Sequence, residues 1–176
     1  MKIKSALSKL FSSKGFTLIE LLIVIAILGV LAAGVLVAID PVEQLARGRD
    51  AGRKSVVTQL GRALQAYYTS NSAYPVIATW DSTLTTSGEI KVFPGNPGTP
   101  TSPPCSGGRV VNNFCYKTNT TPDIVVYTHM ESKTEKNKGT CAGSDVNTWY
   151  VYSSADGKGG LLCKPGEPVA GETGLL

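Results

Sequence analysis

The chain has 176 residues, with 17 Lys and Arg against 13 Asp and Glu, one histidine and four cysteines; this suits one modest domain and excludes a large multidomain enzyme. Lys2, Lys4, Lys9 and Lys14 fall in the first fifteen residues, where there is no acid, so the remainder carries 13 basic and 13 acidic side chains. A near-neutral remainder has no overall field to draw nucleic acid or an anionic membrane.

Residues 16–39 run for 24 positions with Glu20 as the single charge. At the α-helical rise this is about 36 Å, enough to cross a hydrocarbon core. The basic flank ahead of it predicts a cytoplasmic N-terminus, a single pass through a membrane and translocation of everything after Asp40. Gly29, Ala32, Ala33 and Gly34 would let such helices approach closely, although Gly and Ala are also common in spans that pack on nothing.

Pro41 removes a helix donor and can kink or break a helix. Apolar positions nevertheless return at Val56, Val57, Leu60, Leu64 and Tyr67. That spacing of three and four predicts one helix resuming to about Ser70, hydrophobic in its first half and two-faced in its second. Arg49, Asp50, Arg53, Lys54, Gln59 and Arg62 make its polar face, and Asn71 with Pro75 reads as the stop.

Residues 75–104 are rich in Pro, Gly and Thr and read as a connecting surface loop. Short β-type runs follow at 109–111, 114–117, 124–130, 149–153 and 161–163, with turn signals at Asn112-Asn113 and Asp156-Gly157. The simplest arrangement is a small antiparallel sheet with one face on the helix stripe, and the tail after Pro165 reads as loosely held.

Cys105, Cys115, Cys141 and Cys163 all lie in the part expected to be exported, where oxidation is permitted. They pair in one of three sets, and nearest-neighbour pairing joins Cys105 to Cys115 and Cys141 to Cys163. Zinc binding is not expected, because the spacings are wrong and His129 is the one histidine. No cofactor is called for either. A single histidine cannot serve a triad and a metal site, and neither a Gly-x-Ser-x-Gly string nor a glycine-rich phosphate loop is present, so catalysis is not expected. Arg47, Arg49, Arg53 and Lys54 form a basic cluster that could touch DNA. It spans more than one helical face and includes Asp50, so a solvated or subunit-contacting surface is the stronger expectation.

The junction Lys14-Gly15-Phe16-Thr17-Leu18-Ile19-Glu20 leads directly into the apolar run. A secretory signal places its cleavage site after its hydrophobic stretch, whereas the small residue here stands before it, so a cut would leave the helix with the product. The string resembles the prepilin cleavage and methylation motif of type IV pilins and type II secretion pseudopilins. The resemblance implies removal of residues 1–15 by a prepilin peptidase, with Gly15 on the cleavage side and the new amine of Phe16 methylated. A carboxylate inside a span costs about 2.5–3.5 kcal/mol. The family's glutamate at the position of Glu20 is thought to pair with the methylated amine of a neighbouring subunit, which makes Glu20 a registry residue for assembly.

The resemblance therefore implies an α+β, pilin-like fold, in which a long N-terminal helix with a transmembrane first half packs on a small antiparallel sheet. It divides the chain into a leader (1–15), a transmembrane and filament-core helix (16–40), an amphipathic helix half (41–74), a connecting loop (75–104) and a disulfide-stapled sheet region (105–176). Its partners would be further copies of itself in a helical filament, the peptidase, the assembly machinery and, before assembly, the membrane. The product would stand outside the cell or in the periplasm. Many pilins carry a kinking proline a few residues before the position of Pro41; Val37 and Ile39 stand there instead. Residues 64–75 resemble the helix end and Tyr-Pro turn of major pseudopilins and of small pilins of similar build. Residues 150–160 resemble, more faintly, a pseudopilin loop that binds calcium in some members. With Asp156 and Asp145 the nearby carboxylates, an ordinary Asp-Gly turn is expected there, since calcium takes six to eight oxygens.

Overall fold

A computed structural model describes residues 15–98, 103–119, 122–142 and 147–176. Leader residues 1–14, with Lys2, Lys4, Lys9 and Lys14, and Asp145 lie outside the described residues. The chain forms two units, Met1–Pro41 and Val42–Leu176.

In the first unit, α1 (Leu18–Ile39) has 22 residues, none of them buried. It is long and apolar enough to cross a membrane by length and composition. Where one continuous helix is expected, Asp40 adopts a left-handed conformation (φ 46°, ψ 77°) that ends α1. Pro41 then opens α2 (Pro41–Asn71), the first-turn position where its missing N–H costs nothing. Ser72, at φ 54°, and Pro75 follow the last turn of α2, as the stop signal predicts.

The second unit is a five-stranded antiparallel meander in the order β1 (Arg109–Val111), β2 (Phe114–Thr118), β3 (Ile124–His129), β4 (Asn147–Ser153), β5 (Lys158–Lys164). Each expected run is a strand. Asn112 and Asn113, both at positive φ, make the two-residue β1–β2 turn, a conformation Asn tolerates and one that matches strand twist. Period-two alternation gives the sheet two apolar faces. Phe114, Tyr116, Ile124, Val126 and Tyr152 pack with Val57, Leu60, Ala63 and Leu64 of α2. On the other face Cys115, Val125, Tyr127, Trp149 and Val151 pack with Leu175. At Gly61 α2 approaches the sheet so closely that a Cβ would overlap the Tyr152 ring.

Two readings are corrected. Within the stretch read as a connecting surface loop, a 3-10 turn (Ile77–Thr79) runs into α3 (Trp80–Thr86), and Trp80, Leu84 and Ile90 are buried in the main core. The tail after Pro165 is tied down. Leu161 and Leu176 exchange backbone hydrogen bonds of 3.2 and 3.0 Å, Leu175 is buried, and Glu167 accepts from Ser106 N (2.8 Å), Ser106 Oγ (2.9 Å) and Lys117 Nζ. Both disulfides staple this unit, Cys105–Cys115 with Cα atoms 5.8 Å apart and Cys141–Cys163 with Cα atoms 5.1 Å apart.

Candidate functional site

The motif Thr17-Leu18-Ile19-Glu20 is a capping box as well as part of the cleavage string. Thr17 is the N-cap of α1. The Glu20 amide donates to Thr17 Oγ1 (3.3 Å), while the Thr17 amide (2.8 Å) and hydroxyl (2.7 Å) both donate to Glu20 Oε2. This reciprocal pairing satisfies two otherwise orphaned helix donors and sets a negative charge against the positive end of the helix dipole. It also offsets part of the cost of carrying a carboxylate in an apolar segment. The neighbouring-amine role expected for Glu20 says nothing of this partner within the chain, although the Thr-x-x-Glu spacing announces it. Ahead of the cap, Phe16 is 86% exposed and Gly15 has no atom within 4 Å of where a Cβ would sit. Among the described residues, nothing packs on the bond between Gly15 and Phe16.

The basic cluster of α2 is occupied internally. Arg47 pairs with Glu43 (3.3 Å), Arg49 with Glu131 (2.8 Å), and Lys54 with Glu135 (2.7 Å). Arg53 is fully buried between Asp50 (2.9 Å) and Glu131. The expected solvated polar face is thus wrong for Asp50 and Arg53, which are core residues. Their carboxylate and guanidinium fix the segment leading into α4 (Lys133–Lys136), a one-turn helix that sequence reading did not anticipate. Asp50 accepts from the amides of Glu131 (3.0 Å) and Ser132 (2.8 Å), and Glu43, seven residues earlier on the same helical face, accepts from the amide of Thr134 (3.0 Å) and from that of Lys133 (2.9 Å). These bonds leave the cluster little charge to offer a nucleic acid.

Hydrogen bonding holds the Glu43 and Glu167 carboxyls well below the usual carboxylate range. The Lys133 amide, followed by the Thr134 amide and hydroxyl and by Arg47, outweighs burial and brings Glu43 to about 2. Lys117, followed by Ser106, does the same for Glu167, also at about 2. A carboxyl lowered on folding contributes stability that is complete above its unfolded pKa, about 4.3, and is lost as pH falls towards 2. Thermal midpoints measured between pH 7 and pH 2 are therefore expected to drop steeply below about pH 4.3. Glu43→Gln lowers the pH 7 midpoint and makes that drop shallower; an unchanged slope would remove Glu43 from the account.

His129 stacks on Trp149 with ring centroids 3.8 Å apart. Burial, then Lys136 and Arg53, push its pKa down. All four cysteines are in disulfides, and among the described residues no group of three His, Cys, Asp or Glu could hold a metal ion. Asp156 Oδ2 accepts from the Leu175 amide (3.3 Å) beside the β4–β5 turn.

Residues 10–36 match the family model described as the prokaryotic N-terminal methylation motif. That motif is the hallmark of prepilin-type precursors of type IV pilins and pseudopilins. No curated protein and no solved structure matches the chain.

Proposed function

Proceeding from this prepilin-type N-terminus, we propose that the chain is a structural subunit of a type IV pilus-like filament, cleaved after Gly15, methylated on Phe16 and polymerised through α1. The observation that carries the proposal is the order of parts. The methylation motif at residues 10–36 precedes and overlaps a wholly exposed apolar helix, and a separate folded unit begins only at Val42. A helix of this kind first serves as a membrane anchor. Once released from lipid it needs an apolar environment, and further copies of α1 supply one. Glu20, with its capping bonds, is the registry residue in that packing, where a buried ion pair with a neighbour's Phe16 amine fixes which subunits meet. Disulfides fit an exported product.

The test is mass spectrometry of the N-terminal peptide from sheared surface material and from membranes of the same cells. Phe16 as a methylated N-terminus in sheared fibres is the expected result. Recovery of the processed form only in membranes would instead indicate a secretion pseudopilin, and residues 1–15 still attached in both fractions would overturn the proposal. Glu20→Ala is expected to be processed like the parent chain yet missing from the sheared fraction, which separates cleavage from assembly.

A further inference from the structure

The 31-residue helix α2 has no basic side chain in its last turn, although the aligned peptide dipoles of a helix place about half a negative charge at its C-terminal end. The chain closes that end with neutral donors. The Ser72 amide donates to the Tyr68 carbonyl (2.8 Å) and Asn71 Nδ2 to the Tyr67 carbonyl (2.9 Å). Beside it lies an open groove of about 480 Å³ whose lining includes Tyr68, Tyr74, Pro75, Val76 and Ile77 and no charged side chain. Tyr68 and Tyr74 stack with ring centroids 4.6 Å apart and planes inclined by 27°, and both stay half-exposed. The turn after Tyr74 is fixed from behind, since Tyr116 Oη donates to the Pro75 carbonyl (2.9 Å). Burial, joined by Tyr152, Tyr68 and Asp123, outweighs a bond to Ser154 and pushes the Tyr74 pKa up. Asp123, the one full charge in that set, has the same sign as the helix end.

Aromatic faces are negative at the centre of the ring and attract cations. The chain uses this elsewhere, with Lys54 over Tyr150 and Lys117 over Tyr127, but neither lysine lines the groove. Tyrosine faces, a negative helix end and apolar walls together suit a positive charge that carries an apolar skin. We infer that the groove binds a small organic cation of the quaternary ammonium class, with its methyl groups on the Tyr68 ring and against Pro75, Val76 and Ile77. An anion meets the wrong sign there, and the groove is of the size and largely apolar character of small-molecule sites. It lies within residues 42–176 and stands whether or not the chain polymerises.

The full chain, in micelles of an uncharged detergent and with its tyrosine rings isotope-labelled, is titrated with choline at fixed ionic strength and followed by NMR. Saturable shifts of the Tyr68 and Tyr74 ring signals are expected. The neutral carbon isostere of choline, a tert-butyl in place of the trimethylammonium, should bind at least roughly tenfold more weakly, because it has the shape without the charge. Phosphocholine should also bind more weakly than choline, since its phosphate meets the negative end of α2; equal binding would extend the site to choline headgroups and leave the cation where it is. Tyr68→Phe should keep the response and Tyr68→Leu should lose it. Tyr68 belongs to neither core cluster, so the thermal midpoint of both variants should match that of the parent chain. Absence of a saturable shift with choline, equal affinity for the neutral isostere, or undiminished binding by Tyr68→Leu overturns the inference.

Discussion

Asp50→Ala is expected to destabilise the folded unit by about 3–5 kcal/mol, because it leaves a buried guanidinium short of its partner. Arg53 has no exposed surface, and its contacts are Asp50, Glu131, the Asn96 side chain (3.3 Å) and the Pro97 carbonyl. Removing the Asp50 carboxylate also strands the amides of Glu131 and Ser132, and buried donors without acceptors carry their own penalty. Denaturation followed by tryptophan fluorescence measures the loss. Asp50→Ala combined with Arg53→Met should recover part of it, since an apolar side chain of similar length does not need the missing charge. Equal stability of the double and the single variant would mean that the stranded amides, and not the guanidinium, dominate.

Trp80→Ala should cost about 3–5 kcal/mol, the range for truncating a large buried aromatic. The Trp80 ring stacks on Tyr116 with centroids 5.0 Å apart and meets Phe93 edge-on at the same distance. It thereby joins α3, the 93–98 segment and β2 in one contact. Its indole Nε1 has no hydrogen-bond partner among the described residues, so Trp80→Phe gives up area and packing but no polar contact and should be much milder. Trp149, on the other face of the sheet, remains as the fluorescent reporter. A Trp80→Phe cost equal to that of Trp80→Ala would show that the indole nitrogen has a partner after all.

These two residues mark where sequence reasoning failed, and for different reasons. Trp80 and Leu84 stand four apart, one helical turn, but α3 has only seven residues amid Thr, Ser and Gly, too short for a periodicity to show. Asp50 and Arg53 were legible as helical and polar. Their burial was not, because it depends on Glu131, which is 78 residues beyond Arg53. The fate of the tail was hidden in the same way, as Leu175 and Leu176 find their partners on β5. The strands were legible because each alternates over a sheet that is apolar on both faces, and the Asn-Asn turn because few residues accept positive φ twice in succession. At the N-terminus the cleavage string and the span were plain. The capping box was equally plain, in the Thr-x-x-Glu spacing of Thr17 and Glu20 at the head of the apolar run.

The disulfides also govern how the folded unit would respond to being pulled. Cys105–Cys115 and Cys141–Cys163 close stretches with sequence separations of 10 and 22. At about 3.4 Å per extended residue, these loops sequester on the order of 100 Å of contour from any force applied between α2 and the tail. Strands β1 and β4 lie wholly inside those loops, so even complete mechanical unravelling would leave them outside the taut path. A subunit stretched to its limit with both disulfides intact is shorter by that length than the same subunit with them reduced.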